Sequence, residues 1–338
     1  MASCKHVLVT MGDPAGISGE VIAKAWSALA AGRGPVVRRI RTLLAQRRAA
    51  LHVVGDAGVL GRAVERLPRR LRWQMVDDLV AGPPGVLRVF ARSHIDMRRF
   101  RFGVPSYGRE QLGYLDFAID QAHAGRIAAM VTGPVTKEAV AAVLPGFLGH
   151  TGYLAEKLGA AQERMAFLTP EYLLALQTTH VPVRDVAAHL SVAGVATSLG
   201  MLVRAGQRAF GRKLPVAVLG LNPHAGEHGL MGDEEERILV PAMKQARRRG
   251  IACEGPFPAD SFFIDRVRRF RLILAMYHDQ GLIAVKPAFP RASVNVTLGL
   301  PIVRTSVDHG SGYDIAGKGK ASEESLLAAI AAALEMLR

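Results

Sequence analysis

Cysteine is scarce: Cys4 and Cys253 are the only two in 338 residues, and they form neither a CxxC pair nor a zinc-ligand spacing. That excludes a disulfide-stapled scaffold and a thiolate metal centre, and it suits a reducing compartment. Aromatic residues make up only 6% of the chain, too few for a base-stacking platform. No apolar run reaches the ~20 residues needed to cross a bilayer; the Ala/Leu-rich tail at 326–337 is interrupted by Glu335. The N-terminal stretch MASCKHVLVTMGDPAG has no apolar signal core or cleavage site and reads as a first buried strand, so a cytoplasmic protein is expected.

Acidic residues are also outnumbered, 29 against 43 Lys and Arg, for a formal charge of +14. The excess sits in clusters such as Arg38, Arg39, Arg41, Arg47 and Arg48, then Arg66, Arg69, Arg70 and Arg72, then Arg247, Arg248 and Arg249. Such a field favours anionic partners. No helix-turn-helix, zinc finger or stacking pattern accompanies it, so a solvated basic face is the expectation and a nucleic-acid-binding module the non-enzyme alternative. The basic stretch 35–48 reads as an extended helix or an insertion.

What the chain does have is alternation. Short apolar runs at 6–12, 51–56, 127–134, 172–180, 215–223, 272–281 and 294–300 read as strands covered on both faces. Between them, 18–31 reads as a helix capped by Ser18, 110–124 as an amphipathic helix and 183–208 as two helices broken near 192–194. A further helix starts at Asp233, acid-rich in its first turn and Arg-rich in its last, and 322–337 is the final one. This is an α/β pattern with a largely parallel or mixed sheet.

The unusual polar residues lie where the runs end: MGDPAG, VTGP, TTHVP, LNPHAGE, MYHDQG and LGLP. Ligands in open α/β sheets bind beyond the carboxyl ends of strands. Three of these ends carry a histidine: His180, His224 and His278. One such histidine alone is more often a hydrogen-bonded core residue. Three at equivalent strand ends point to a divalent ion, since neutral imidazoles suit Zn²⁺, Co²⁺ or Fe²⁺ and three ligands leave a position for substrate. A second group suits an anion: His150 and Thr151 in GHTGYL, with Lys286, Asn295 and Arg304 further on. Neither GxGxxG after the first strand nor a Walker A sequence is present, so a standard Rossmann or P-loop reading has little support.

With these residues in view, the chain resembles the 4-hydroxythreonine-4-phosphate dehydrogenase family of vitamin B6 biosynthesis, including its sugar-acid-phosphate paralogues. The resemblance rests on MGDPAGI, VTGPVTKEAV, GHTGYLAE, TTHVPVRDV, LNPHAGEHGLMGDEE, GPFPADSFF, MYHDQGLIAVK and NVTLGLPIVRTSVDHGSGYDIAGKGKA, and it spans nearly the whole chain. It implies that His180, His224 and His278 hold one divalent metal (Zn, Co or Mg). It implies that His150, Thr151, Lys286, Asn295 and Arg304 contact phosphate and substrate, with Asp260 near the substrate. The ending HGSGYDIAGKGKA is similar to the adenosine-binding loop of isocitrate and isopropylmalate dehydrogenases. That likeness implies NAD or NADP against 308–317, with His309, Gly310 and Asp314 as contacts, although Asp314 reads equally well as a helix cap before Ile315.

The implied fold is a two-domain α/β/α subunit with an interdomain cleft, as in those dehydrogenases. Residues 1–130 with 303–338 form the first domain; 131–302 form the second, which carries the metal histidines and the interface of a homodimer with shared sites. The implied reaction is oxidation of 4-phosphohydroxy-L-threonine to a β-keto acid that loses CO₂ to give 3-amino-2-oxopropyl phosphate, with no general base assigned. The alternatives are D-threonate or D-erythronate 4-phosphate and, more distantly, a cis-dihydrodiol dicarboxylate. Four departures from the family pattern bear on substrate: Ser18 and Gly19 after MGDPAGI, the stretch 287–294, Phe262 after GPFPAD, and Ser311 and Gly312 before Tyr313.

Overall fold

Apolar runs become strands wherever both faces can be covered. A computed structural model describes residues 4–290 and 292–337. The first three residues, and Arg291 in the atypical stretch 287–294, lie outside the described residues. The strands are β1 (Lys5–Thr10), β2 (Ala49–Asp56), β3 (Trp73–Met75), β4 (Leu87–Ser93), β5 (Ala129–Thr132), β6 (Arg164–Leu168), β7 (Leu173–Leu176), β8 (Val216–Leu219), β9 (Cys253–Phe257), β10 (Leu272–Ala275), β11 (Val294–Leu298) and β12 (Val303–Ser306).

The chain divides into two compact units, 1–161 with 300–338, and 162–299. In the first unit the strand order is β3-β4-β2-β1-β5-β12, and every pair is parallel. Parallel strands need helical crossovers, and these bury the sheet on both faces. Residues 7–10 of β1 and all of β5 are accordingly buried. The helix Glu324–Glu335 packs on β5 and β12, and the helix Gly108–His123 on β1, β2 and β4. Residues 131–161, expected in the second unit, lie in the first. The reason is pairing and packing: β5 is flanked by β1 and β12, and the helix Lys137–Ala141 packs on Gly108–His123.

The basic stretch forms a helix of its own, separate from the first. The helix Ser18–Ala31 ends at Gly32, which is left-handed (φ 68°), and a second helix, Pro35–Arg47, follows. Its buried residues Val37, Ile40 and Leu44 form one stripe at helical spacing, turned onto Glu324–Glu335. Arg39 pairs with Glu335 at 2.7 Å, Arg41 donates to the Leu29 carbonyl at 3.4 Å, Arg47 is half-buried, and Arg38 and Arg48 are exposed. Ser18 does not cap: it is the first helical residue, and its buried hydroxyl has no hydrogen-bond partner.

In the second unit the order is β11-β6-β7-β10-β8-β9. Strand β6 is antiparallel to both neighbours, whereas β7, β10, β8 and β9 run parallel. The helix Val192–Phe210, capped by Ser191, covers β7, β8 and β10. A core of Phe167, Leu174, Leu176, Leu219, Phe262, Phe270 and Ile273 fills the unit. Phe262 is one of the departures from the family pattern, and it belongs to this core, stacked with Phe257, Phe263 and Phe270. The run 272–281 does not stay a strand: β10 stops at Ala275 and a helix, His278–Ala288, begins three residues later.

Candidate active site

Three adjacent parallel strands of the second unit, β7, β10 and β8, point their carbonyl ends the same way. His180 lies four residues beyond β7, His278 three beyond β10, and His224 five beyond β8. Hydrogen bonds cross-link the ends. The Thr178 N–H and hydroxyl both donate to the Met276 carbonyl, at 3.1 and 2.8 Å. The Gln280 amide group donates to the Gly220 carbonyl at 2.6 Å, and its oxygen accepts the Met276 N–H at 2.6 Å.

The His180 and His278 rings stand 5.9 Å apart, centroid to centroid. Two imidazoles on one tetrahedral ion, with metal–nitrogen bonds of 2.0–2.1 Å, have centroids about 5 Å apart. The observed spacing is somewhat wider than that. The Nδ1 of His278 is 2.7 Å from the Asp279 carboxylate, the contact that fixes the tautomer of a ligating histidine. His224 is exposed on a left-handed stretch, with φ 53°. Among the described residues of the single chain, no three His, Cys, Asp or Glu side chains are grouped to hold a metal. The structure thus brings together two of the three expected ligands.

The residues expected around an anion divide between the units. In the first, His150 and Thr151 open the helix His150–Lys157 behind Gly149, whose φ of 137° favours glycine. A Cβ at 149 would meet the Lys137 side chain at 3.3 Å. Burial pushes the His150 imidazole well below its ordinary pKa, and the nearby Arg304 and Lys137 charges add to this. Its Nε2 is buried without a hydrogen-bond partner. Arg304 is buried, donates to the Thr132 hydroxyl at 2.7 Å, and has its pKa pushed down to about 10 by burial. A buried Arg304 and an exposed Lys137 beside a neutral imidazole with an unused nitrogen suit an anionic group. Lys137 was not among the residues expected from sequence, although it stands in the quoted VTGPVTKEAV.

In the second unit, Asn295 sits on β11 opposite Phe167, and its Oδ1 is buried without a partner. The Lys286 ammonium lies over the same Phe167 ring at 5.7 Å, so these two converge. Asp260 stands exposed in the first turn of the helix Ala259–Asp265.

The loop 308–317 is tied down within the first unit. Asp13, fully buried in MGDPAG, accepts at Oδ2 from the Thr136 and Tyr313 hydroxyls, both at 2.5 Å. Ser311 joins the knot through Thr136 at 2.8 Å, and its carbonyl accepts the Ile17 N–H at 2.9 Å. Burial and the adjacent carboxylate raise the Tyr313 phenol above its usual range, keeping it a donor. Of the departures at Ser311 and Gly312, Ser311 therefore contributes one of the knot's hydroxyls. Beyond them, Arg66 donates to the Gly317 carbonyl, and Glu20 and Lys24 hold Gly319 and Ala321. Nothing approaches a Cβ built at Gly310, so the backbone there stands open, whereas the Nε2 of His309 is buried without a hydrogen-bond partner. Asp314 is exposed in a turn and caps no helix.

Residues 47–333 match the family described as pyridoxal phosphate biosynthetic protein PdxA. The chain is 37% identical over 328 residues to the 4-hydroxythreonine-4-phosphate dehydrogenase of Desulforapulum autotrophicum, covering 95% of this chain and 92% of that one. Its fold is similar to the crystal structure of the 4-hydroxythreonine-4-phosphate dehydrogenase from Klebsiella pneumoniae, with TM-score 0.86, 33% identity and 99% of both chains covered. It is also similar, with TM-score 0.67, 27% identity and 96% of both chains covered, to a terephthalate 1,2-cis-dihydrodiol dehydrogenase from Burkholderia xenovorans.

Proposed function

The chain belongs to the pyridoxal phosphate biosynthetic protein PdxA family, and from that premise we propose that it is a 4-hydroxythreonine-4-phosphate dehydrogenase. It oxidises 4-phosphohydroxy-L-threonine to a β-keto acid that decarboxylates to 3-amino-2-oxopropyl phosphate. The observation that carries this reading is the set of three histidines at one end of β7, β10 and β8, with two of the rings 5.9 Å apart. When bound, a divalent ion supplies Lewis acidity at the substrate hydroxyl, and NAD or NADP supplies the hydride acceptor.

The chain's own residues do the holding. His180, His224 and His278 are the metal ligands, and Asp279 orients His278 through Nδ1. Arg304, Lys286 and Lys137 neutralise the phosphate, while His150, Thr151 and Asn295 orient it; Asp260 lies toward the substrate. Remote binding energy from the dianion then fixes the hydroxyl for hydride transfer. The knotted loop, with His309, Gly310 and Asp314, takes the adenosine half of the cofactor.

The working form is a homodimer in which each site draws on both copies. Support comes from the isolated His224 and from exposed Val183, Leu230, Ile264 and Ile283, all in the second unit. No helix among the described residues is long and apolar enough to cross a membrane, consistent with work in the cytoplasm. Placing Phe262 in the core removes one reason to look to a paralogue's substrate. The test is a turnover screen of 4-phosphohydroxy-L-threonine against D-threonate and D-erythronate 4-phosphates, each with NAD and with NADP. Preference for either sugar-acid phosphate would overturn the substrate assignment.

A further inference from the structure

We propose that Glu235 is the positioning residue for His224: its carboxylate pins the left-handed loop that presents this histidine for metal binding. Among the described residues of the second unit it is the one buried carboxylate, 3% exposed. It stands where a π turn, Glu235–Leu239, leads into the helix Val240–Arg248. Instead of an arginine or lysine it faces a backbone. Its Oε1 accepts the N–H groups of Leu221 and Asn222, at 2.7 and 2.8 Å, and its Oε2 accepts the Asn222 side-chain amide at 2.8 Å. A carboxylate is acceptor-only and can receive all three at once; no neutral side chain of that size can.

The loop needs such a hold. Residues 224–228 all have positive φ, and four of them are not glycine: His224, Ala225, Glu227 and His228. Left-handed backbone is disfavoured for each L-residue with a Cβ, and a run of five persists only when its surroundings over-determine it. The fifth, Gly226, is the point of contact: a Cβ there would stand 2.7 Å from Glu235 Oε2. The carboxylate therefore grips the chain just before His224 and the loop folds back onto it just after. The hydrogen bonds of Glu235 run to Leu221 and Asn222, so the carboxylate acts on His224 through the backbone.

The inference rests on the reading of His180, His224 and His278 as metal ligands, and the experiment separates the two. Glu235→Gln keeps the volume but turns an N–H₂ group toward either the backbone donors or the Asn222 amide. The full-length dimer is stripped, loaded with Co²⁺, and titrated against a chelator while the visible cobalt band is recorded. Glu235→Gln should weaken Co²⁺ binding about 10- to 100-fold, the range for lost outer-shell support, and should change the band. Amide exchange at 221–230 should quicken. Asn222→Ala removes one of the three donors and should weaken binding in the same direction but less, which serves if Glu235→Gln does not fold. Unchanged affinity and band in both variants, with His224→Ala still abolishing tight binding, would overturn the positioning role alone. Co²⁺ binding by His224→Ala equal to wild type would overturn the metal reading and this inference with it.

Discussion

The side-chain amide of Gln280 donates to the Gly220 carbonyl at 2.6 Å, joining the end of β8 to the turn that carries His278. The same side chain accepts the Met276 N–H, and Met276 in turn accepts from Thr178. One glutamine thus sets the spacing of strand ends that lie far apart in sequence. Replacing it with alanine leaves the Met276 N–H and the Gly220 carbonyl unpaired. Each buried orphan costs about 1–3 kcal/mol, so Gln280→Ala should lose roughly that much stability or more. Urea midpoints measured with and without metal test this. The loss should be larger with metal present, because ion binding also stabilises the folded wild type; equal losses would separate Gln280 from the metal ligands.

Anion recognition should fall on Arg304 and Lys137 as well as on Lys286. Lys137→Met and Arg304→Met each remove a charge beside His150. A charge-assisted hydrogen bond contributes about 1.5–3 kcal/mol, so kcat/KM for the phosphorylated substrate should drop about 10- to 100-fold. Slow turnover of the unphosphorylated hydroxy acid should change little. Parallel losses on both substrates would assign these residues to folding rather than to phosphate.

Acid should weaken the fold through His52. This residue is fully buried, has its ring 5.3 Å from that of His6, and has its pKa pushed down to about 4, chiefly by burial. In the unfolded chain it titrates near 6.5. At neutral pH both states are uncharged and the residue contributes no pH dependence. Between about 6.5 and 4 the unfolded chain binds a proton that the native state refuses, so stability falls as pH falls. One unit is worth about 1.4 kcal/mol, giving roughly 3 kcal/mol over the window. His52→Gln keeps an acceptor for the Val80 N–H, which His52 now accepts at 3.2 Å. Its urea midpoints at pH 7.5, 5.5 and 4.5 should fall less steeply than those of wild type; parallel curves would refute the assignment.

The strands at the centre of each unit were legible because their apolar runs have no polar face to confuse the period. Five others were not. Strand β3 is exposed throughout, β4 has two arginines, β9 contains Gly255 and Pro256, and β6 and β12 each contain an arginine. Where the other four are buried, that burial comes from neighbours rather than from their own composition. The three histidines stood out because strand ends are recognisable in sequence. Lys137, Glu235 and Gln280 did not, since a charged or amide residue in a loop or at the start of a helix reads as solvent-facing until the fold shows what it touches. Arg304 was expected at the site, but its burial beside Thr132 depends on β5 and β12 pairing across more than 170 residues, which no local pattern encodes.

Which copy supplies His224, the third proposed metal ligand, is open to a direct test with two variants. His180 and His278 come together in one chain, and His224 does not complete a group of three with them. If each site takes His180 and His278 from one copy and His224 from the other, then His224→Ala and His278→Ala are defective in complementary halves. Each homodimer should be inactive. A mixed dimer should hold one site with all three histidines and one with only His180. Random pairing at equal amounts makes half the dimers mixed, so co-expression should restore about a quarter of wild-type activity. His180→Ala with His278→Ala provides the control: both lesions lie in the same half of the site, every pairing leaves it broken, and no activity should return. Recovery in neither mixture would place all three ligands in one chain and require the His224 loop to move toward the other two.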